Sequence, residues 1–282
     1  MTPKIRFTIL FVSAIAVMAI LTLADQSVFT LSSYAKAESA AAVLPKVTSP
    51  TPKPDPSASI LVAEKKLTIP ILMYHHIAVP APDEQLKNNF VDPAVFEGQL
   101  KYLKAQGYET ITLSEMNRAF LGAFALPQKP VILTFDDAYA DFYANAYPLL
   151  KKYQAKANLS VITGMIGGDH LTWEQILEVS GKNVEIVSHT QNHLDLSSAS
   201  AETVRSELST SRDELIKQVG NVPRFLVYPS GKYSDDVIAV AKELGYLGAL
   251  TTEWGKEIST RYYFEIPRVR VSRDSNIGSL LR

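Results

Sequence analysis

Four histidines and two adjacent aspartates stand directly behind short apolar runs in this chain. His75 and His76 follow IPILMY, Asp136 and Asp137 follow VILTF, and His189 and His193 follow VEIV and Ser188. Neighbouring carboxylates on an extended strand point to opposite sides, so one can hold a metal ion while the other accepts a proton. The plainer alternative is that one of them caps the helix that follows. The His189-x-x-x-His193 spacing brings two imidazoles to one side of a single helical turn. Two imidazole nitrogens and a carboxylate oxygen, with one position left for water, suit a divalent cation such as Zn²⁺. The histidine spacing alone is a weak signal; with the aspartate pair upstream it points to a metal site.

Those residues need elements to hold them. Apolar runs at 69–74, 109–113, 131–135, 158–163, 184–187, 225–228, 247–250 and 267–271 read as strands. Helices are expected between them. Asp92-Pro93 opens one, with Phe96, Leu100 and Leu103 on one face and Gly107 at its end. Others are expected at 114–121, 141–153, 201–219 and 234–244, with Thr172 and Gln175 forming a capping box for one that runs to Val179. Alternating strands and helices imply an α/β fold with a parallel sheet covered by helices. Chemistry in such folds gathers at the C-terminal edges of the strands. All the residues above fall at such edges, as do Pro229, Ser230 and Gly231 behind FLVY.

Composition narrows the possibilities. The 282 residues are 46% hydrophobic and 20% charged, which suits a packing globular chain. Lys and Arg number 28 against 29 Asp and Glu, so no polybasic surface for nucleic acid is implied. The absence of Cys excludes disulfides, thiolate metal sites and cysteine nucleophiles. Lys4 and Arg6 precede a charge-free apolar run from Phe7 to Leu23, and Ala35 and Ala37 offer a small-residue cleavage site. Residues 1–37 therefore read as a signal peptide or an N-terminal membrane anchor. Residues 38–65, with five Pro, read as a tether. Residues 66–282 read as the folded domain, on the outer side of the membrane.

VILTFDDAY, IVSHTQNH, YPSG and MYHHI together resemble the polysaccharide deacetylase family, the NodB-homology or carbohydrate esterase 4 group. The likeness spans about residues 66–275. The opening MYHHI is similar to the branch that deacetylates poly-β-1,6-N-acetylglucosamine in biofilms. The resemblance implies a deformed (β/α) barrel of seven or eight parallel strands with outer helices. It implies a divalent metal, Zn first with Co or Ni as alternatives, on Asp137, His189 and His193. It makes Asp136 the catalytic base, kept ionised by a neighbouring cation, and His75 the general acid. Ser230 takes the position whose backbone N–H helps hold the oxyanion. The implied partner is an N-acetylated glycan, with no nucleic acid and a monomeric chain. The implied setting is extracytoplasmic, either secreted or anchored at the outer face of a bacterial cell membrane.

The departures from the family pattern carry expectations too. Ala138 replaces the usual Gly, a mild change that is tolerable if the backbone is helical there. The motif Arg two residues before Pro229 is absent and Val227 stands in its place, which leaves Arg268 of the last strand to orient Asp136. Thr252-Glu253-Trp254 only loosely echoes an Asp-Trp segment. Val269-Arg270-Val271 replaces a late Leu-x-His, which makes His75 necessary. His76 competes with His75 for the acid role, and His170 reads as a solvated loop residue. Trp173, Trp254, Tyr139, Tyr143, Lys232 and Tyr233 are divided between sugar contacts and packing or turn surface. Poly-N-acetylglucosamine comes first as substrate and peptidoglycan second. The alternatives are a non-catalytic glycan-binding module and an O-acetyl esterase or small-amide hydrolase on the same fold.

Overall fold

The computed structural model describes residues 64–181 and 183–282. The N-terminal apolar run, its cleavage site and nearly all of the tether lie outside the described residues. No helix among the described residues is long and apolar enough to cross a membrane.

Among the described residues ten strands occur in chain order: β1 (Lys66–Thr68), β2 (Ile71–Tyr74), β3 (Glu109–Thr110), β4 (Pro130–Phe135), β5 (Ala157–Val161), β6 (Val184–Ser188), β7 (Phe225–Val227), β8 (Gly248–Trp254), β9 (Glu257–Ser259) and β10 (Ile266–Arg270). Seven α-helices accompany them in the same residues: α1 (Pro93–Ala105), α2 (Leu113–Phe120), α3 (Tyr147–Tyr153), α4 (Trp173–Val179), α5 (Ala201–Val219), α6 (Asp235–Glu243) and α7 (Ile277–Leu280). Strands β2, β10, β8, β7, β6, β5 and β4 pair in that order, all parallel, and β2 pairs with β4 to close a seven-stranded barrel. The expected deformed (β/α) barrel is the observed fold. Its deformation is local: β6 and β7 share the single pair Ser188–Leu226, and the register between β10 and β8 shifts between Ile266 and Arg268. β3 lies outside the ring on β4, and β1 and β9 form an antiparallel ribbon.

The two-residue period of the strands sorts their side chains into two regions. Leu72, Tyr74, Leu133, Phe135, Leu159 and Val161 pack outward against Phe96, Leu100, Leu150 and Ile176 of the covering helices. Ile71, Ile132, Val187, Val227 and Leu250 point inward, and Leu113, Met116 and Phe120 of α2 join them to plug the floor of the barrel. Higher up, the inward positions turn polar. Thr134, Asp136, Asn158, Ser160 and Arg268 are all buried. Buried polar groups need partners, and this layer supplies its own, as described below.

Helix ends follow the sequence signals. Asp92 caps α1 by accepting from Ala94 N–H, and the Thr172–Gln175 capping box is present. α5 spans the expected residues and ends at Gly220 in the left-handed region. Two expectations fail locally, and two small features were not foreseen. The strand expected over 109–113 is only two residues long, because Thr112 caps α2 with a capping box of its own. The helix expected over 141–153 is a π-turn at Phe142–Ala146 followed by α3, with Pro148 near the junction. The ribbon β1–β9 and the short α7 carry no apolar periodicity long enough to announce them.

Candidate active site

The barrel's C-terminal edge collects the chemistry. Asp136 and Asp137 follow β4, His189 and His193 follow β6, His75 follows β2, and Arg268 sits within β10. On a regular strand Asp136 and Asp137 would face apart. Here Asp137 and Ala138 both take positive φ, 70° and 55°. This left-handed step turns both carboxylates toward the barrel mouth. The right-handed helical backbone under which Ala138 would be a mild change is not what the chain adopts there: the buried Ala occupies a conformation that Gly adopts at less cost.

His189 and His193 converge through a loop, which corrects the reading of one helical turn. Thr190 and His193 have φ of 67° and 57°. His193 N–H donates to Thr190 Oγ1 (3.0 Å), and Thr190 N–H donates to Ser188 Oγ (3.3 Å). His189 Nδ1–H donates to the Val227 carbonyl (2.8 Å), which leaves the Nε2 lone pair facing Asp137. Asp137 Oδ1 lies 3.2 Å from His189 Nε2 and 3.6 Å from His193 Nε2. One ligand atom from each of the three residues lies within 4.8 Å of the others.

The donor chemistry tests whether this set fits a cation. Asp137 Oδ1 is buried and receives no hydrogen bond, although His189 Nε2 is close. With its proton on Nδ1, the neutral imidazole presents a lone pair to a carboxylate lone pair. A cation between the atoms relieves that repulsion, either a metal ion or a proton on Nε2, since burial, which would lower the His189 imidazole, is outweighed by Asp137 and Asp136, which raise it. The two imidazole nitrogens and one carboxylate oxygen fit a divalent ion with positions left open. His193 is the most exposed of the three, its side chain at 30%, so the open side lies there.

Asp136 is held differently. Arg268 donates to both its oxygens, Nη1 to Oδ1 and Nη2 to Oδ2, each at 2.8 Å. Ser160 Oγ lies 2.8 Å from Oδ1 and donates to it. Arg268 is itself fixed by donating from Nε to the Thr251 carbonyl (2.8 Å) and from Nη1 to Thr134 Oγ1 (3.2 Å). Burial alone would raise the Asp136 carboxyl. The Arg268 guanidinium overrides it and holds Asp136 well below the usual carboxylate range. The expected cation is therefore present, brought from β10 rather than from the position of Val227.

His75 and His76 face opposite sides of the β2 extension. His75 Nδ1 is buried without a partner. Burial pushes this imidazole down, against the pull of Asp136 and Asp137. His76 faces the rim. Its Nδ1 donates to Asp141 Oδ2 (2.6 Å), and its ring stacks between Phe90 (4.1 Å) and Tyr139 (3.6 Å). His170 stacks on Tyr139 at 5.0 Å and is half-buried, so it is not the freely solvated loop residue expected. Ser230 is exposed in a turn just past β7, at φ 52°. Trp173 packs half-buried on the outer core, Tyr143 bonds to Glu178, and Tyr233 stacks on Tyr228. Trp254 is 70% exposed, and Lys232 is exposed.

Sequence reasoning missed Ser160, Thr134, Asp141 and Glu207. Asn158 and Ser160 gave a signal: two polar residues at alternate positions of an apolar strand mark an inward polar layer. Asp141 and Glu207 gave none, because each acts through a loop fold rather than a local pattern.

Known proteins share this arrangement's frame. Residues 125–249 match the family model for polysaccharide deacetylase. The Bacillus subtilis (strain 168) protein YxkH, whose name places it among the polysaccharide deacetylases, is 34% identical over 221 residues, covering 78% of this chain and 77% of that one. The poly-β-1,6-N-acetyl-D-glucosamine N-deacetylase of Staphylococcus aureus (strain MSSA476) is 29% identical over 208 residues, 68% of this chain and 71% of that one. The structure of the Streptococcus pyogenes deacetylase PplD in complex with acetate superposes with a TM-score of 0.72 at 37% identity, covering 77% of this chain and 98% of that chain. With the closed parallel barrel and its Asp-His-His cluster in place, the chain belongs to the polysaccharide deacetylase family.

Proposed function

We propose that this protein is a metal-dependent hydrolase that removes N-acetyl groups from an extracellular polysaccharide containing N-acetylglucosamine. Poly-N-acetylglucosamine is the first candidate and peptidoglycan the second. The observation that carries this reading is the separation of two carboxylates by partner. Asp137 is aimed at two imidazoles with its Oδ1 left without a hydrogen bond among the described residues, while Asp136 is clamped by Arg268. One is dressed as a ligand and the other as a base. The named activity of the Staphylococcus aureus relative and the acetate bound to the Streptococcus pyogenes deacetylase support the same chemistry.

Asp137, His189 and His193 would hold the cation. When bound, it supplies Lewis acidity at the acetamide carbonyl and lowers the pKa of water beside it. Asp136 accepts the proton of the attacking water at Oδ2, which among the described residues receives only the Arg268 hydrogen bond and keeps a lone pair free. Ser160 and Arg268 fix the carboxylate so that this lone pair needs no reorientation. The Ser230 backbone N–H serves the developing oxyanion. His75 gives a proton to the departing sugar nitrogen as the C–N bond breaks. Its lowered pKa makes the protonated ring a stronger acid for that step. Water and the acetamide become acetate and a free amine, so the atoms balance.

The N-terminal apolar run and the Pro-rich tether support an extracytoplasmic setting, secreted or anchored at the outer face of the membrane. The deciding experiment is acetate release by the protein from β-1,6- and β-1,4-linked N-acetylglucosamine oligomers, with added Zn²⁺ or Co²⁺. Release that stops with chelator and returns with metal is expected, with the β-1,6 oligomers preferred. Stoichiometric metal binding without release from either linkage would overturn the reading.

A further inference from the structure

Glu207 lies within α5 and is only 3% exposed. A buried carboxylate is costly unless it is paired or fully hydrogen-bonded. No Lys, Arg or His among the described residues forms an ion pair with Glu207; its partners are N–H groups. Its Oε2 accepts from the backbone N–H of Gln191 (3.1 Å) and of Asn192 (2.8 Å), and its Oε1 accepts from Asn192 Nδ2 (2.6 Å). All three donors belong to the two residues just ahead of His193, in the loop that joins it to His189. Among the described residues no hydrogen bond joins the carboxylate to either histidine.

That loop needs outside support. Thr190 and His193 are non-glycine residues at positive φ, a conformation in which the Cβ crowds the following carbonyl and which persists only when its surroundings hold it. Glu207 anchors the loop from the helix side. Ser211, one turn further along α5, meets Ser188 Oγ at 2.9 Å. From the barrel side, Thr163 N–H donates to the Thr190 carbonyl (3.1 Å) and Gly164 N–H to the Gln191 carbonyl (2.7 Å). A Cβ at Gly164 would stand 2.6 Å from that carbonyl oxygen, so the approach depends on glycine.

We propose that Glu207 is a positioning residue for the metal centre. By taking three N–H donors from one short loop, it selects the strained conformation that keeps His189 and His193 at ligand spacing before a cation arrives. A carboxylate suits this task because its demand for donors is met only when Gln191 and Asn192 both turn toward α5. The assignment rests on the reading of Asp137, His189 and His193 as ligands.

The test is Co²⁺ binding by the chelator-stripped full chain, followed by visible absorption and by competition with a chelator. The denaturant unfolding of each metal-free protein is measured alongside, and affinities are compared where every variant is folded. Glu207→Gln is expected to weaken Co²⁺ binding roughly 10–100-fold and to alter the Co²⁺ spectrum. A folded Glu207→Gln protein with wild-type affinity and spectrum would overturn the proposal, even if its unfolding midpoint fell. Should that variant fail to fold, Asn192→Ala removes one donor and keeps the carboxylate. A several-fold loss of affinity is then expected, and no loss overturns the proposal. Asp137→Asn runs in parallel. If it binds Co²⁺ as the wild type does, the ligand reading itself fails, and that result is distinct from a failure at Glu207 alone.

Discussion

Asp136 and Asp137 are neighbours in sequence with opposite partners, and the difference predicts opposite phenotypes. Asp136→Asn should keep metal binding and lose roughly 10²–10⁴ in kcat, since it removes the proton acceptor alone. His75→Ala should fall in the same range. His76→Ala should leave kcat within about tenfold, because His76 turns to the rim and pairs with Asp141. Acetate-release kinetics on metal-loaded variants check all three, and an inactive His76→Ala beside an active His75→Ala would reverse the acid assignment. Arg268 poses a separate question of stability. Arg268→Met strands the buried Asp136 charge, and breaking such a pair costs roughly 3–5 kcal/mol. Adding Asp136→Asn to that variant should recover part of the loss, since the orphaned charge disappears. Denaturant unfolding of both variants measures it, and an unstable double variant with no recovery would deny that the pair's electrostatics matter. Asp136, Asp137, His189 and His193 were legible in sequence as one cluster, because strand-end position and residue type suffice for that, while the division into ligands and base came only from the family resemblance. The Arg268–Asp136 pairing was legible only as one option, since nothing local says which of the nearby cations crosses the barrel.

At the scale of elements, the N-terminus of α2 meets the start of β6 through one carboxylate. Glu185 accepts from Ser114 N–H (2.9 Å) and from Ser114 Oγ–H (2.6 Å). Burial pushes its carboxyl above the ordinary glutamate value, and the Ser114 hydrogen bonds offset this only in part. A carboxyl raised in the folded state adds stability that is full below its unfolded pKa of about 4.3 and is lost as pH rises through the folded value. Glu185→Gln keeps a carbonyl acceptor for Ser114 N–H and cannot ionise. Its melting temperature should therefore decline less than that of the wild type as pH rises from about 4 to about 7. Thermal unfolding across that interval decides it, and parallel curves would remove Glu185 as a source of the slope. Helix α5 was legible to the residue, because Ser200 and Gly220 bracket a long amphipathic run. The π-turn before α3 and the loop carrying His193 were not. Both depend on long-range partners, Asp141 with His76 and Glu207 with Asn192, that a local spacing rule cannot see.

For the whole molecule, the barrel can be regarded as two halves with different debts. The floor, closed by α2 and inward Ile, Val and Leu, is held by apolar burial. The mouth holds Asp136, Asp137, His189 and Arg268 out of water, and its polar groups must satisfy one another. Arg268 and Ser160 do so for Asp136, while Asp137 Oδ1 stays without a donor. A cation bound by the folded chain alone should then stabilise the molecule by RT ln(1 + [L]/Kd), or about 2.7 kcal/mol at a hundredfold excess over Kd. Chelation should lower the melting temperature by that increment, and Zn²⁺ or Co²⁺ should restore it. Asp137→Asn should show neither effect. Asp136→Asn should keep the metal-dependent increment while losing catalysis, so the two variants separate holding the ion from using it. Calorimetry with and without chelator reads this directly, and a wild type whose melting is indifferent to metal would place the cation outside the folded mouth.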